Sequence, residues 1–424
     1  MLRADLSPAF RAGGRTGTAS RRSVLIRNGL VTGQVALAFV MLIGAGLMLV
    51  SFRAAVAVDP GFDPEDLLTG GIALPASRYA DVEARRQFWD ELLSEVRAVP
   101  EVTAAAVTSQ LPFSGGGAAN VIIPEGYVPQ PGESLLAPAT SIVSPGYFET
   151  LGIELVRGRD FAESDGPDAT RVIVIDEWLA NRYWPDADPL GSRMIFGGVP
   201  GADSVPEENL YTIVGVVATV KQNDLTAPDA EHVGAYYLAQ RQIPTAAVSL
   251  ATRSGTGSPA DLTPAVRAIL GRLDPELPFF GVQTMNERID DSLLQRRVPL
   301  VLLGVFAAVA LFLAVVGIYG ALGYAVAQRT REIGIRMAMG SAPDRIFRSV
   351  VAQGMGVTAF GLLLGLGATY AATRLMEALL FGVAPTDLRV IGAVALTLTL
   401  VAVVASAAPA RRATRVDPVE SLAG

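Results

Sequence analysis

The sequence predicts a membrane protein with four transmembrane α-helices and a large α+β extracytoplasmic domain, in which a split porter-like βαβ subdomain carries an inserted β-rich lobe. Three observations point there. Four uncharged runs reach the roughly 20 residues needed to cross about 30 Å of hydrocarbon. Arginines gather beside those runs, on what the positive-inside rule makes the cytoplasmic side. Residues 53–297, between the first run and the second, alternate strand-like and helix-like patterns.

The spans are placed at residues 30–52, 298–327, 350–375 and 390–410. Their apolar cores, Leu30–Val50, Val298–Ala327, Val350–Thr373 and Val390–Ala410, contain no charged residue, and Gln34 is the main polar intrusion in the first. That first run is too long for the apolar stretch of a signal peptide, and Arg53 spoils a small-residue cleavage context after it, so it reads as an uncleaved anchor. Half of the 424 residues are hydrophobic, which is high for a soluble chain.

The net charge of -7 is unevenly spread: residues 1–30, 328–349 and 411–424 hold 14 arginines against 5 acids. These three segments, with boundaries at 1–29, 328–349 and 411–424, are expected in the cytoplasm, which puts both termini there and residues 53–297 outside. Gly361 and Gly365 in the third span form a GxxxG that lets another helix approach closely, and Gly317, Gly320 and Gly323 crowd the second. Four helices are few for a pore, so self-association is expected.

Within the external section, LLTGGIAL at Leu67 reads as a strand. The stretch from Asp81 spaces Phe88, Leu92, Val96 and Val99 along one helical face, and VTAAAVTS from Val102 returns as a strand. A similar order recurs with AAVSLATR from Ala246, a helix from Ala260 to Leu273, and PFFGVQT from Pro278. The porter-like part is therefore placed at 60–140 and 240–295, built from both ends of the section, with the inserted lobe at 141–239. YFETLGIELVRGRDF, VIVIDEWLANRYW and YTIVGVVATV are the lobe's strongest elements. Both halves of the porter-like part adjoin a span, so movement of spans one and two would be felt outside.

Several chemistries are excluded. There is no cysteine, and the lone histidine, His232, rules out HExxH zinc sites and reads as a surface or loop residue. The P-loop needs GxxxxGK[ST], and Lys221, the only lysine, sits in ATVKQND, so ATP cannot bind in that way. GxGxxG and GxSxG are also missing. SGGGAAN at Ser114 precedes no helical pattern and reads as a loop; PDADPLG at Pro185 lacks the later ligands of a calcium loop and reads as a turn; Asp290 and Asp291 read as a solvated helix face. No catalytic, cofactor or metal residues are assigned.

The segment from Arg329 carries the most information. Ile333 and Met337 fall four apart on one face, and Glu332 and Arg336 pair at the same spacing. Gly340 stops that helix, and Ser341 with Asp344 suggests a capping box for the next. The expectation is a rigid elbow showing arginines and a few apolar knobs to the cytoplasm, either floating on lipid headgroups or docking a soluble partner.

TREIGIRMAMGSAPDRIFRSVV after the second span and APARRATRVDPVESL after the fourth resemble the FtsX-like/MacB-like family of ABC transporter permeases. DPGFDPEDLL, VSPGYFETLGIELVRGRDF, VIVIDEWLANRYWPDADPLGSRM and YTIVGVVATVK resemble that family's MacB-type periplasmic core domain. The resemblance covers nearly the whole chain after about residue 20. It implies a permease in the bacterial inner membrane, working as a dimer or with a related permease among membrane lipids. It also implies that Arg331, Glu332, Ile333, Arg336, Met337, Gly340 and Ser341 form a coupling helix seated in an ATPase subunit that holds ATP and magnesium. A periplasmic or outer-membrane partner is a further expectation; nucleic acid is not.

Within these 424 residues there is no ATPase sequence, so the resemblance leads us to expect the ATPase on a partner chain, unlike better-known members with a fused one. The chain's N-terminal stretch is similar to the linker before the second copy in duplicated permeases, so either two chains pair or Met1 opens a fragment of a longer product. Three functional classes stay open: a permease exporting amphiphilic cargo such as a lipoprotein, peptide or drug; a non-transporting regulator that activates a cell-wall hydrolase or signals; and a membrane-anchored external enzyme.

Overall fold

A computed structural model describes residues 21–197, 206–226, 232–339, 341–376 and 380–414. Contacts divide the chain into two units, Val56–Leu294 and, together, Met1–Ala55 with Gln295–Gly424.

In chain order, helix α1 (Arg21–Val56) is followed by β1 (Leu67–Ala73), α2 (Val82–Arg97) and β2 (Val102–Thr108). Then come β3 (Ala118–Ala119), β4 (Ile122–Pro124), β5 (Ala139–Val143), α3 (Tyr147–Leu151), β6 (Leu155–Gly158), β7 (Val172–Asp176) and α4 (Glu177–Tyr183). β8 (Arg193–Phe196), β9 (Leu210–Val217), β10 (Ala235–Ala239), β11 (Ala247–Ser254), α5 (Thr263–Leu273), β12 (Phe280–Thr284) and α6 (Met285–Ser292) complete the external unit. The chain ends its described course with α7 (Leu294–Gln328), α8 (Thr330–Ala338), α9 (Pro343–Met376) and α10 (Leu388–Ala413).

In the external unit the two βαβ passes interleave. Strands run β12-β1-β11-β2 with every neighbour antiparallel, so each pass straddles a strand of the other, the split βαβ arrangement. Asp81 starts α2 by accepting the Ala84 amide at 3.1 Å. The helix turns Phe88, Trp89, Leu92 and Val96 onto Leu68, Ile72, Val107 and Leu250 of the sheet, beside Val266 and Ile269 of α5. A Cβ on Gly70 or Gly71 would strike the ring of Phe279 or Phe280, which explains why two glycines break an otherwise apolar strand.

β4 pairs with β8 and β3 with β5, so residues 118–124, which the pattern places in the porter-like half, pair with strands at and beyond its expected border with the inserted lobe. Residues 118–140 are rich in Gly and Pro and have no periodicity to assign them. The lobe contains two short helices, α3 and α4, within stretches expected to be mainly strands. Among the described residues the strands continue the same sheet in the order β5-β10-β7-β9-β8-β4, joined to β2 through Thr108 and Val143. Ser144 Oγ accepts the Val107 amide at 3.0 Å and reinforces that joint.

In the other unit, α1, α7, α9 and α10 are the four described helices long and apolar enough to cross a membrane, over candidate spans of 33, 33, 30 and 26 residues. At about 1.5 Å per residue each is longer than a hydrocarbon core requires, so their ends project beyond it. Phe39, Leu47, Ala314, Ile318, Leu398 and Ala402 form part of their shared core. The GxxxG works within the chain: a Cβ on Gly361 would lie 3.1 Å from the Thr32 carbonyl oxygen and one on Gly365 3.2 Å from that of Ala36, both on α1. These glycines therefore bring α9 against α1. Gly317 meets the Gln34 side chain, whereas Gly320 and Gly323 face open space. At the opposite end of α1, Ser51 Oγ accepts the Phe381 amide at 2.8 Å, and Asp387 caps α10.

Candidate functional site: the arginine elbow

The elbow forms because α7 loses its helical geometry at Arg329 (φ -107°, ψ 15°) and α8 begins one residue later. Ile333 is 8% exposed and belongs to the core of the four long helices; Gly334 is buried and Met337 packs partly against the same core. The expected outward knobs, Ile333 and Met337, thus point inward and key the elbow to the bundle. The side chains turned outward are Ile335, 45% exposed, and Met339, 85% exposed, with Arg331 also exposed.

Glu332 and Arg336 form the expected ion pair at 2.5 Å, with both side chains more than half exposed. At the end of α8 the Ser341 amide donates to the Arg336 carbonyl at 3.0 Å, the six-to-one bond of a Schellman ending. Gly340, expected as the stop, lies outside the described residues. Helix α9 begins at Pro343, whose lack of an N–H suits the first helical position, so Ala342 rather than Ser341 stands at the cap.

Behind the elbow lies a cavity of about 290 Å³. Arg329, Glu332 and Arg336 line it from the elbow, Arg345 and Ser349 from α9, and Leu322 and Val326 from α7. Sequence reading found the arginines but not their grouping, because a cavity between three elements has no linear signature.

The other motifs fall elsewhere. Asp188 accepts the Leu190 amide at 3.1 Å and makes PDADPLG a turn, while Asp290 and Asp291 lie in α6. SGGGAAN, expected as a loop, contains the two-residue strand β3 after Gly115 at φ +75°. His232 lies in a loop but not at the surface: its side chain is 15% exposed and Nε2 is 3.3 Å from Asp176 Oδ2. Asp176 is fully buried and caps α4 through the Leu179 amide, and burial pushes its carboxyl above the ordinary aspartate value. Among the described residues no three His, Asp or Glu side chains gather where a metal ion could sit.

Two protein families match this architecture: residues 23–277 match the MacB-like periplasmic core domain, and residues 304–418 the FtsX-like permease C-terminal region. The first match spans more than half of the sequence, and the chain belongs to the MacB-like periplasmic core domain family, with FtsX-like permease helices following that domain. A probable export ATP-binding/permease protein of Pseudomonas fluorescens is 28% identical over 344 residues, covering 76% of this chain and 49% of the relative. The macrolide export ATP-binding/permease protein MacB of Neisseria meningitidis is 26% identical over 288 residues, covering 66% and 42%. The chain thus spans under half the length of these curated relatives. The crystal structure of the periplasmic region of MacB from Actinobacillus actinomycetemcomitans aligns at 14% identity and a TM-score of 0.35, over 54% of this chain and 92% of that one.

Proposed function

We propose that the chain is the permease subunit of an ABC-type export system in the bacterial inner membrane, powered by ATP and magnesium bound on a separate ATPase subunit. Both termini and the elbow face the cytoplasm, and two such permease chains, identical or related, work together. The cargo is amphiphilic, and the external unit handles it or meets a periplasmic partner. The names of the relatives, which pair export with ATP binding, support this reading.

The observation that carries it is the two-sided elbow: Ile335 and Met339 project outward while Ile333 is locked into the bundle. A partner seated on the outer face would move α8 and, through Ile333, the long helices. Only Leu293 separates α7 from α6, so the chain itself links that motion to the external unit. A rigid elbow transmits force only if the bundle has two arrangements for a partner to choose between.

The test exploits the absence of cysteine. A photoactivatable thiol reagent on Met339→Cys should capture a P-loop ATPase, identified by mass spectrometry of the adduct, and Ile335→Glu with Met339→Glu should abolish co-purification without affecting insertion. Labelling of Ser341→Cys by an impermeant maleimide in intact cells would place the elbow on the wrong side and overturn the reading.

A further inference from the structure

We propose that the cavity behind the elbow is a binding site for the phosphodiester headgroup of an anionic membrane lipid. This goes beyond the docking role, which uses the opposite face of α8 and requires no lipid.

Charge is the first argument. Arg329, Arg336 and Arg345 line the cavity against a single acid, Glu332. Glu332 is engaged by Arg336, while among the described residues neither Arg329 nor Arg345 has a carboxylate within ion-pairing distance. Two guanidiniums that line one cavity and pair with none of the described carboxylates, Glu332 being held by Arg336, are arranged for a bidentate oxyanion, and phosphate oxygens fit their donor geometry. Ser341 and Ser349 add hydroxyl donors, and the N-terminal end of the 34-residue helix α9 adds its positive dipole end.

Depth and shape favour a lipid over a free phosphate. The candidate span of α7 ends at Gln328, one residue before Arg329, and the uncharged run of α9 starts only after Arg345 and Arg348, so the arginines stand at the ends of the apolar runs, where hydrocarbon gives way to headgroups. Leu322, Val326, Ile346 and Val350 form an apolar wall on the bundle side, suited to the first carbons of a lipid rather than to a hydrated ion. About 290 Å³ is at the small end of ligand pockets and accommodates a headgroup, leaving the acyl chains outside.

Native mass spectrometry of the full-length chain in a non-ionic detergent, without any ATPase, tests the site by titration with phosphatidylglycerol, phosphatidylcholine and inorganic phosphate. One phosphatidylglycerol should bind per chain at least tenfold more tightly than phosphatidylcholine. Arg329→Gln with Arg345→Gln should weaken it about thirtyfold, roughly 2 kcal/mol. Arg331→Gln with Arg348→Gln removes the same charge from exposed positions that do not line the cavity and should leave binding intact. Ser349→Phe fills the cavity without changing charge and should also block binding, which keeps the test valid should the first double variant fail to fold. Equal loss in both double variants would reveal a diffuse basic surface and overturn the site. So would unchanged binding in the Arg329/Arg345 variant, and inorganic phosphate bound with no preference for phosphatidylglycerol would reassign the cavity to a free anion.

Discussion

In the external unit Trp89 fills the space between two helices and a sheet, and its Nε1 donates to the Thr245 carbonyl at 2.9 Å. In the membrane unit Gly361 and Gly365 do the reverse, leaving space that Val35, Phe39 and the adjoining backbone carbonyls of α1 occupy. The difference follows from solvent. Outside, each large apolar side chain withdrawn from water contributes roughly 1.5–3 kcal/mol, so size is favoured. Between membrane helices lipid tails are as apolar as leucine, and that gain is absent, so closeness is favoured instead. Polar groups differ likewise. Arg253 outside reaches across the chain to Asp63 at 2.9 Å and to the Thr150 carbonyl at 3.0 Å. In the membrane Thr358 and Ser406 turn back to carbonyls four residues earlier, Gly354 and Ala402, in their own helices. The same substitution, large to small or small to large, should therefore have opposite consequences in the two units.

Trp89→Ala is the strongest test on the external side. It removes a fully buried indole and leaves the Thr245 carbonyl without its donor, a loss of about 3–5 kcal/mol. The sequence places all three tryptophans, Trp89, Trp178 and Trp184, in this unit, so the remaining fluorescence reports its unfolding alone. The urea midpoint by fluorescence should fall sharply. An unshifted midpoint would show that large side chains do not dominate there.

Gly361→Leu is the mirror experiment and should cost about 1–3 kcal/mol by forcing α9 away from α1. Gly356, on the same helix, faces open space and provides the control: Gly356→Leu should be tolerated. Helical circular dichroism on heating in detergent should separate the two variants, while the fluorescence midpoint of the external unit stays constant in both. Equal tolerance of both leucines would break the comparison.

How much of this was legible depended on periodicity. The four spans stood out because their apolar runs are long, and the first βαβ pass because Phe88, Leu92 and Val96 repeat at helical spacing. The pairings of β3 and β4 did not, because both strands are short and their partners β5 and β8 are separated from them in sequence. On the elbow, two apolar stripes are offset by two residues, Ile333 with Met337 and Ile335 with Met339. Spacing alone cannot say which faces the bundle. The cavity and the Asp176–His232 contact arise from residues brought together only by tertiary structure.

A subtler external test uses Asp176, whose buried carboxyl titrates above its ordinary value. A carboxyl with its folded pKa raised contributes stability below the unfolded value of about 3.9 and loses that contribution as pH rises through the folded value. In a His232→Gln background, which removes the neighbouring imidazole, the fluorescence urea midpoint should decline as pH rises above about 4. Asp176→Asn keeps an N-cap acceptor for Leu179 and should flatten that decline. A slope unchanged by Asp176→Asn would assign the pH dependence to other groups.

The smallest effect is expected at Glu332, where the membrane unit meets water and neither packing regime applies. Its pair with Arg336 is of the i,i+4 kind, with both side chains more than half exposed, and such pairs contribute about 0.3–0.5 kcal/mol and weaken with salt. Glu332→Ala should therefore leave the helical melting midpoint nearly unchanged, in contrast to Ile333→Asp one residue away, which buries a charge in the bundle core and should lower it markedly. A large shift from Glu332→Ala would mean that the ion pair, not Ile333, fastens the elbow, and the line between the two packing regimes would then have to be drawn inside the bundle rather than at its end.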